Sequence, residues 1–190
     1  MKAWQVRKLG EPKESLQIEE MPAPEPGPGE ILIKTEAAAL NFFDILLCKG
    51  EYQEKPPLPF IPGAEIAGEI KDTGPGTASS KRQRVLATPQ LPNGGWSEYV
   101  VVKEEDVFPI PESLLASEAA SMFITYQTFY FALHRCGRLT ERRGTVSTRW
   151  IRRSGLCCDS IRINGWRGKS KQPCTGNAAG RSGSRRTNIR

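Results

Sequence analysis

The 190-residue chain is long enough for one or two domains, contains 38% hydrophobic residues and carries a net charge of +6. It has no run of the roughly 18 apolar residues that a membrane span needs, and residues 1–10 lack the apolar segment of a signal peptide. Its five cysteines match no zinc-binding spacing. We therefore expect a cytoplasmic protein with reduced thiols, not a secreted or membrane-spanning one.

Charge and apolar content are unevenly distributed along the chain. Residues 147–190 contain eleven Lys or Arg and a single acid, Asp159, so residues 1–146 carry a net charge of −4. Only five residues of this last segment are Leu, Ile, Val or Phe, below the roughly 20% at which highly charged segments tend to stay disordered. The sequence predicts an acidic folded body and a basic, disordered tail over 147–190.

Several short segments between turn signals predict β-strands. The predicted strands are residues 1–10, 30–40, 64–71, 84–88 and 96–103. Residues 21–29 carry a proline at every second position and predict a surface connection. Gly, Pro and Asn cluster at residues 73–76 and 92–95, which predicts turns there. Many short strands at this spacing indicate a small β-barrel.

Residues 41–48 predict a short helix between two of these strands. Asn41 and Asp44 both have side chains that can cap the helix N-terminus. Gly50 comes shortly after the helical segment and is suited to end it. The prolines that come next then favour an extended loop.

Beyond Pro111 the apolar period changes to that of helices. Residues 117–121 predict the start of one helix, capped by Ser117. A second helix is predicted from apolar side chains at positions i, i+3, i+4 and i+7, namely Tyr126, Phe129, Tyr130 and Leu133. Gly137 is suited to end this helix, and residues 144–146 begin another strand.

Five motifs occur in an order and spacing that resemble one enzyme family over about residues 1–146. They are residues 39–44, 49–52, 59–68, 94–99 and 123–126. Together they resemble the zinc-independent quinone oxidoreductases of the medium-chain dehydrogenase/reductase superfamily. The resemblance implies a mainly β fold with some α: a GroES-like β-barrel domain, over residues 1–124, followed by a helix and a Rossmann domain. A nicotinamide cofactor then lies in the cleft between the two domains.

The chain departs from zinc-dependent relatives at the metal positions. Where those relatives have a cysteine it has Asn41, and where they have Gly-His-Glu it has Gly63, Ala64 and Glu65. Amide and methyl groups cannot replace the thiolate and imidazole of a catalytic zinc. The single histidine, His134, is isolated in sequence. We expect no metal site, and we expect Gly63 and Glu65 to serve the barrel structure more than the chemistry.

The resemblance implies four site residues. Asn41, Asp44 and Tyr52 would line the cleft as catalytic residues, with Tyr52 donating a hydrogen bond to the substrate. Asn41 would also lie near the nicotinamide ribose, and Thr125 would contact the nicotinamide end of the cofactor. Structural roles are the alternatives: Asn41 and Asp44 as helix caps, and Tyr52 as a cover for the neighbouring loop.

The cofactor-binding half of the family is not recognisable in the sequence. Residues 125–146 resemble the linking helix and first strand of a Rossmann domain, but residues 147–160 lack its glycine-rich turn. Codons can be chosen for residues 147–160 that encode such a turn when they are read one base later. The shifted codon that begins within the Trp150 codon encodes glycine for every possible choice. We hypothesise that a frameshift near Val146 produced the 147–190 tail.

Three functions remain open from the sequence. The first is an NADPH-dependent quinone or enone oxidoreductase that transfers hydride without zinc and is impaired by truncation. The second is a stand-alone GroES-like binding module. The third is non-specific binding of nucleic acid by the Arg-rich tail, which we disfavour because a frameshifted tail is basic by accident. We expect a small-molecule quinone or enone substrate, no membrane partner, and association through an exposed apolar helix face.

Overall fold

A computed structural model describes residues 1–136 of the chain. All the strands and α-helices belong to one compact unit, Met1–Ala132, and the second unit is described only at residues 133–136. The predicted cap at Gly137, the strand at 144–146 and the disordered tail at 147–190 lie outside the described residues, as does the expected lack of a Rossmann domain.

Within residues 1–136, seven antiparallel strands form two sheets. The strands are β1 (Lys2–Val6), β2 (Leu16–Glu20), β3 (Glu30–Ala38), β4 (Ile66–Thr73), β5 (Arg84–Ala87), β6 (Tyr99–Lys103) and β7 (Val107–Pro109). β1 pairs with β2, and the other five strands follow the order β6-β3-β4-β5-β7. The prediction of a sheet-rich fold is confirmed, and each strand predicted within residues 1–136 has its counterpart. Strands β2 and β7 were not predicted.

The helices are few and short. They are α1 (Pro12–Ser15), α2 (Phe42–Lys49), α3 (Ala116–Ala120) and α4 (Phe123–Tyr130), with a 3-10 turn at Glu104–Asp106 and a π-helical turn at Phe131–Cys136. Helix α2 matches its prediction and ends at Gly50, which adopts a left-handed conformation with φ of 71°. The prediction that Ser117 caps a helix is wrong. The cap of helix α3 is Leu115, two residues earlier, and the Glu118 carboxylate accepts the Leu115 N–H at 3.4 Å.

Strands β3 and β4 contribute buried side chains to both faces of the sheet, although Lys34, Glu36 and Lys71 are exposed. One face packs into the main core, formed by Ile31, Ile33, Ile66, Ile70, Val85, Ala87, Val100 and Val102. On the other face Ala67 packs against Ala119 and Ala120 of α3. The alanines allow the short helix to approach the sheet closely. This packing brings the chain after β7 back beside the segment that leads into β4.

Strand β1 links the two sheets to each other. Isolated bridges join Ala3 to Ser97 and Val6 to Phe60, and the Trp4 N–H donates to the Trp96 carbonyl at 2.9 Å. A second core cluster under α2 contains Val6, Leu47, Cys48 and Phe60. Helix α2 is therefore held against both β1 and the loop that precedes β4, so its first turn has a defined position.

Candidate active site

Asp44 ties the first turn of α2 to the loop before β4. Its side chain is 1% exposed. One carboxylate oxygen, Oδ2, accepts the Asn41 N–H at 2.7 Å, and Oδ1 accepts the Gly63 N–H at 3.3 Å. The first of these bonds satisfies a backbone donor at the helix N-terminus, where a negative charge is also favoured by the helix dipole.

Glu65 connects three distant segments of the chain. It is 1% exposed, although it lies in an apolar stretch between Ala64 and Ile66. Its Oε1 accepts a hydrogen bond from Asn41 Nδ2 at 3.0 Å, and its Oε2 accepts the Ile124 N–H at 2.9 Å. One carboxylate thus joins the start of α2 to the start of α4.

Burial raises the pKa of Asp44 from 3.8 to about 6. Loss of hydration disfavours the charged form, and the nearby charge of Glu65 acts in the same direction. The two backbone N–H donors, from Asn41 and Gly63, oppose the rise because they stabilise the carboxylate. The site therefore holds two buried acids whose charges are satisfied mainly by amide donors.

The raised pKa of Asp44 makes stability depend on pH. Between pH 3.8 and about 6 the folded chain binds more protons than the unfolded chain, since the pKa of Asp44 is higher in the fold. We expect the contribution of Asp44 to the free energy of unfolding to fall by about 2–3 kcal/mol as the pH rises through this window. Urea denaturation at several pH values, followed by Trp fluorescence, measures it.

The matched control is Asp44→Asn, which keeps the shape of the side chain and removes its titration. The difference in unfolding free energy between this variant and the wild type should change across the same window. A difference that stays constant from pH 4 to pH 6.5 would show that Asp44 titrates at its ordinary pKa.

Trp96 and Gly63 fix the backbone beside these acids. Gly63 has φ of 100°, and its carbonyl accepts the Gly95 N–H at 2.7 Å. The Trp96 indole Nε1 donates to the Ala39 carbonyl at 3.0 Å, and its backbone N–H donates to the Pro62 carbonyl at 3.0 Å. The segments on either side of the Asn41–Glu65 bond are therefore held by their own hydrogen bonds.

The other two predicted site residues, Thr125 and Tyr52, lie in α4 and in the loop after α2. Thr125 is half-buried in the first turn of α4, directly after Ile124, and so stands next to the Glu65 bond. The Tyr52 ring packs against Phe43 of α2, with 5.5 Å between ring centroids. Tyr52 is half-buried and belongs to the cluster beneath α2.

Glu65 and Ile124 were not among the predicted site residues. The sequence does carry a signal for Glu65, since a lone acid between apolar residues of a buried strand needs partners. Ile124 takes part only through its backbone N–H, which no side-chain motif reveals. Among residues 1–136, no group of three or more His, Cys, Asp or Glu side chains could hold a metal ion.

A groove of about 560 Å³ opens on the surface of the domain and shares Trp96 with the surroundings of this network. It lies between β1, β2, the end of β3 and residues 95–98, and its walls include Trp4, Ile18, Leu40 and Trp96. None of the four predicted site residues lines it. The candidate site is therefore the buried hydrogen-bond network and not this groove.

Comparison with known proteins agrees with the fold. The family described as alcohol dehydrogenase GroES-like domain matches residues 27–112. Quinone oxidoreductase-like protein 2 of Mus musculus is 32% identical over 159 residues, which are 83% of this chain and 45% of that protein. Quinone oxidoreductase of Homo sapiens is 31% identical over 133 residues, 70% of this chain and 40% of that protein.

A solved structure gives the same result. The quinone oxidoreductase of Thermus thermophilus superposes with a TM-score of 0.60 at 36% identity, covering 72% of this chain and 41% of that one. The chain thus spans less than half the length of these relatives. In the described part of the chain, no helix is long and apolar enough to cross a membrane.

The fold and the match define a GroES-like domain of the alcohol dehydrogenase type. Asn41 and Ala64 are the residues that the sequence resemblance places where zinc-dependent relatives carry metal ligands. The chain belongs to the zinc-independent quinone oxidoreductase-like members of the medium-chain dehydrogenase/reductase superfamily and carries their N-terminal part.

Proposed function

We propose that the described residues form one wall of a cleft in which hydride passes from a nicotinamide cofactor to a quinone or enone without zinc. This proposal is carried by the two hydrogen bonds that Glu65 accepts, from Asn41 and from the Ile124 N–H. One buried carboxylate thereby joins Asn41, at the start of α2, to the first turn of α4, where Thr125 lies. The human and Thermus relatives are quinone oxidoreductases, and the Thermus protein has been solved with NADPH.

The proposed roles depend on what each side chain offers. Asn41 and Thr125 are half-buried, so their polar atoms remain partly accessible and fit the hydroxyl and amide groups of a nicotinamide riboside. NADPH, when bound, supplies the hydride. Tyr52 donates a hydrogen bond to the substrate oxygen, and Asp44 keeps the first turn of α2 in position through its two backbone contacts.

We propose that the chain divides into three parts. Residues 1–124 are the GroES-like substrate domain, residues 125–146 are the linking helix and first strand of a truncated dinucleotide-binding domain, and residues 147–190 are a frameshifted basic tail. A cytoplasmic location fits this assignment.

A chain without a glycine-rich turn should bind NADPH poorly, because nothing then holds the pyrophosphate. We expect no saturable binding by the 190-residue chain up to millimolar NADPH. Titration of the cofactor against intrinsic Trp fluorescence measures this, since Trp96 lies beside the site. Saturation at micromolar NADPH would contradict the proposed loss of the cofactor half.

We also propose that the chain self-associates through an exposed apolar helix face. Of the side chains expected on the exposed helix face, Tyr130 is 63% exposed, and Phe131 next to it is 61% exposed. Phe123 is half-buried and packs against Phe108, with 5.4 Å between ring centroids. Exposed aromatic groups of this size favour association. A concentration-dependent sedimentation coefficient that Tyr130→Ser reduces would support it.

A further inference from the structure

The Asn41 amide has a defined orientation. An ionised carboxylate only accepts hydrogen bonds, so the end of the amide that faces Glu65 at 3.0 Å is the donor Nδ2. The side-chain oxygen, Oδ1, is therefore the end of the amide that does not contact Glu65. Asn41 is half-buried, and the polar atom that it has left for a ligand is an acceptor.

The second oxygen of the same carboxylate holds the first turn of α4. Its partner is the Ile124 N–H, 59 residues away in sequence, and Thr125 comes directly after it. Glu65 takes part in none of the ion pairs found among residues 1–136. Its charge is therefore satisfied by amide donors, and losing the carboxylate would release both segments together.

We propose that Glu65 is a positioning residue: it orients Asn41 so that Oδ1 accepts a hydrogen bond, and it sets the spacing between Asn41 and Thr125. The ligand group at Asn41 must then be a donor, such as a ribose hydroxyl. A group with acceptor atoms alone would face Oδ1 without a partner. This assignment of the ligand group rests on the proposed function, whereas the orienting role does not.

The test compares the wild type with three variants of the full chain by NMR. In Glu65→Gln the side chain has only one accepting oxygen, so either the Ile124 N–H loses its acceptor or the Asn41 amide must turn over and accept from the glutamine. We expect the Asn41 side-chain amide signals to move, or Ile124 amide exchange to accelerate by at least about tenfold. Glu51→Gln, which removes an exposed carboxylate, is the matched control and should change neither.

The double variant Asn41→Asp/Glu65→Gln distinguishes positioning from a general effect on stability. The glutamine can now donate to the carboxylate introduced at position 41 and still accept from Ile124. We expect slow Ile124 exchange to return to within about threefold of the wild type. Asn41 signals and Ile124 exchange that are both unchanged in Glu65→Gln would overturn the positioning role, as would a failure of the double variant to restore exchange.

A binding measurement with a nicotinamide ligand separates the orienting role of Glu65 from the proposed function. Reduced nicotinamide mononucleotide carries the nicotinamide and ribose without a pyrophosphate bridge, so its binding does not need the glycine loop. At millimolar concentration it should shift the Asn41 and Thr125 signals of the wild type, and shift them less in Glu65→Gln. An intact network with no such shifts would overturn the proposed function and the ligand assignment, while the orienting role of Glu65 would stand.

Discussion

Replacing Gly63 with alanine is expected to destabilise the fold by about 3–5 kcal/mol. Gly63 has φ of 100°, where residues with a Cβ atom are strained. The added Cβ would also lie 2.9 Å from the Trp96 backbone N and 2.8 Å from its indole Nε1. Both atoms are held by hydrogen bonds, to Pro62 and Ala39, so neither can move away cheaply.

Chemical denaturation of Gly63→Ala measures this loss, and Gly76→Ala is its matched control. Gly76 also has a positive φ, 84°, but a Cβ added there meets nothing within 4 Å. The control should therefore show the backbone strain alone, about 1–2 kcal/mol. Equal losses in the two variants would mean that the contact with Trp96 contributes nothing to the effect.

Replacing Ile33 with alanine is expected to destabilise the fold by about 3–4 kcal/mol. Ile33 lies in the middle of β3, is fully buried, and belongs to the main core. Removing three carbons there leaves a cavity that β4 and β6, paired to either side of β3, cannot close.

The matched control for the core variant is Ile18→Ala on the edge strand β2. Ile18 is 57% exposed, so the same truncation should cost less than about 1 kcal/mol. Urea denaturation of both variants measures the difference. A loss below about 1 kcal/mol in Ile33→Ala would contradict the placement of β3 at the centre of the domain.

The elements that could be predicted are those whose signals are local. Strand β3 alternates and comes after a proline-rich connection, and α2 is bounded by Asn41 and Gly50. Strand β2 has only five residues and becomes a strand by pairing with β1. Strand β7 has three residues and ends in Pro109, which its place at the sheet edge tolerates.

The site could be predicted only in part for a similar reason. Asn41 and Asp44 are three residues apart at a helix start, a spacing that the sequence displays. The contact of Glu65 with Ile124 spans 59 residues and uses a backbone donor. Only the packing of α3 against β3 and β4, which returns the chain to this side of the sheet, creates that contact.

The most direct test of the metal-free cleft is NADPH-dependent reduction of benzoquinone. We would assay the 190-residue chain beside a fusion in which residues 1–136 precede the dinucleotide-binding half of the human quinone oxidoreductase. We expect no turnover by the chain alone, turnover by the fusion that a chelator does not reduce, and a loss of at least about tenfold in the fusion carrying Asn41→Ala. A fusion that folds and binds NADPH but reduces no quinone, or that stops when metal is removed, would contradict it.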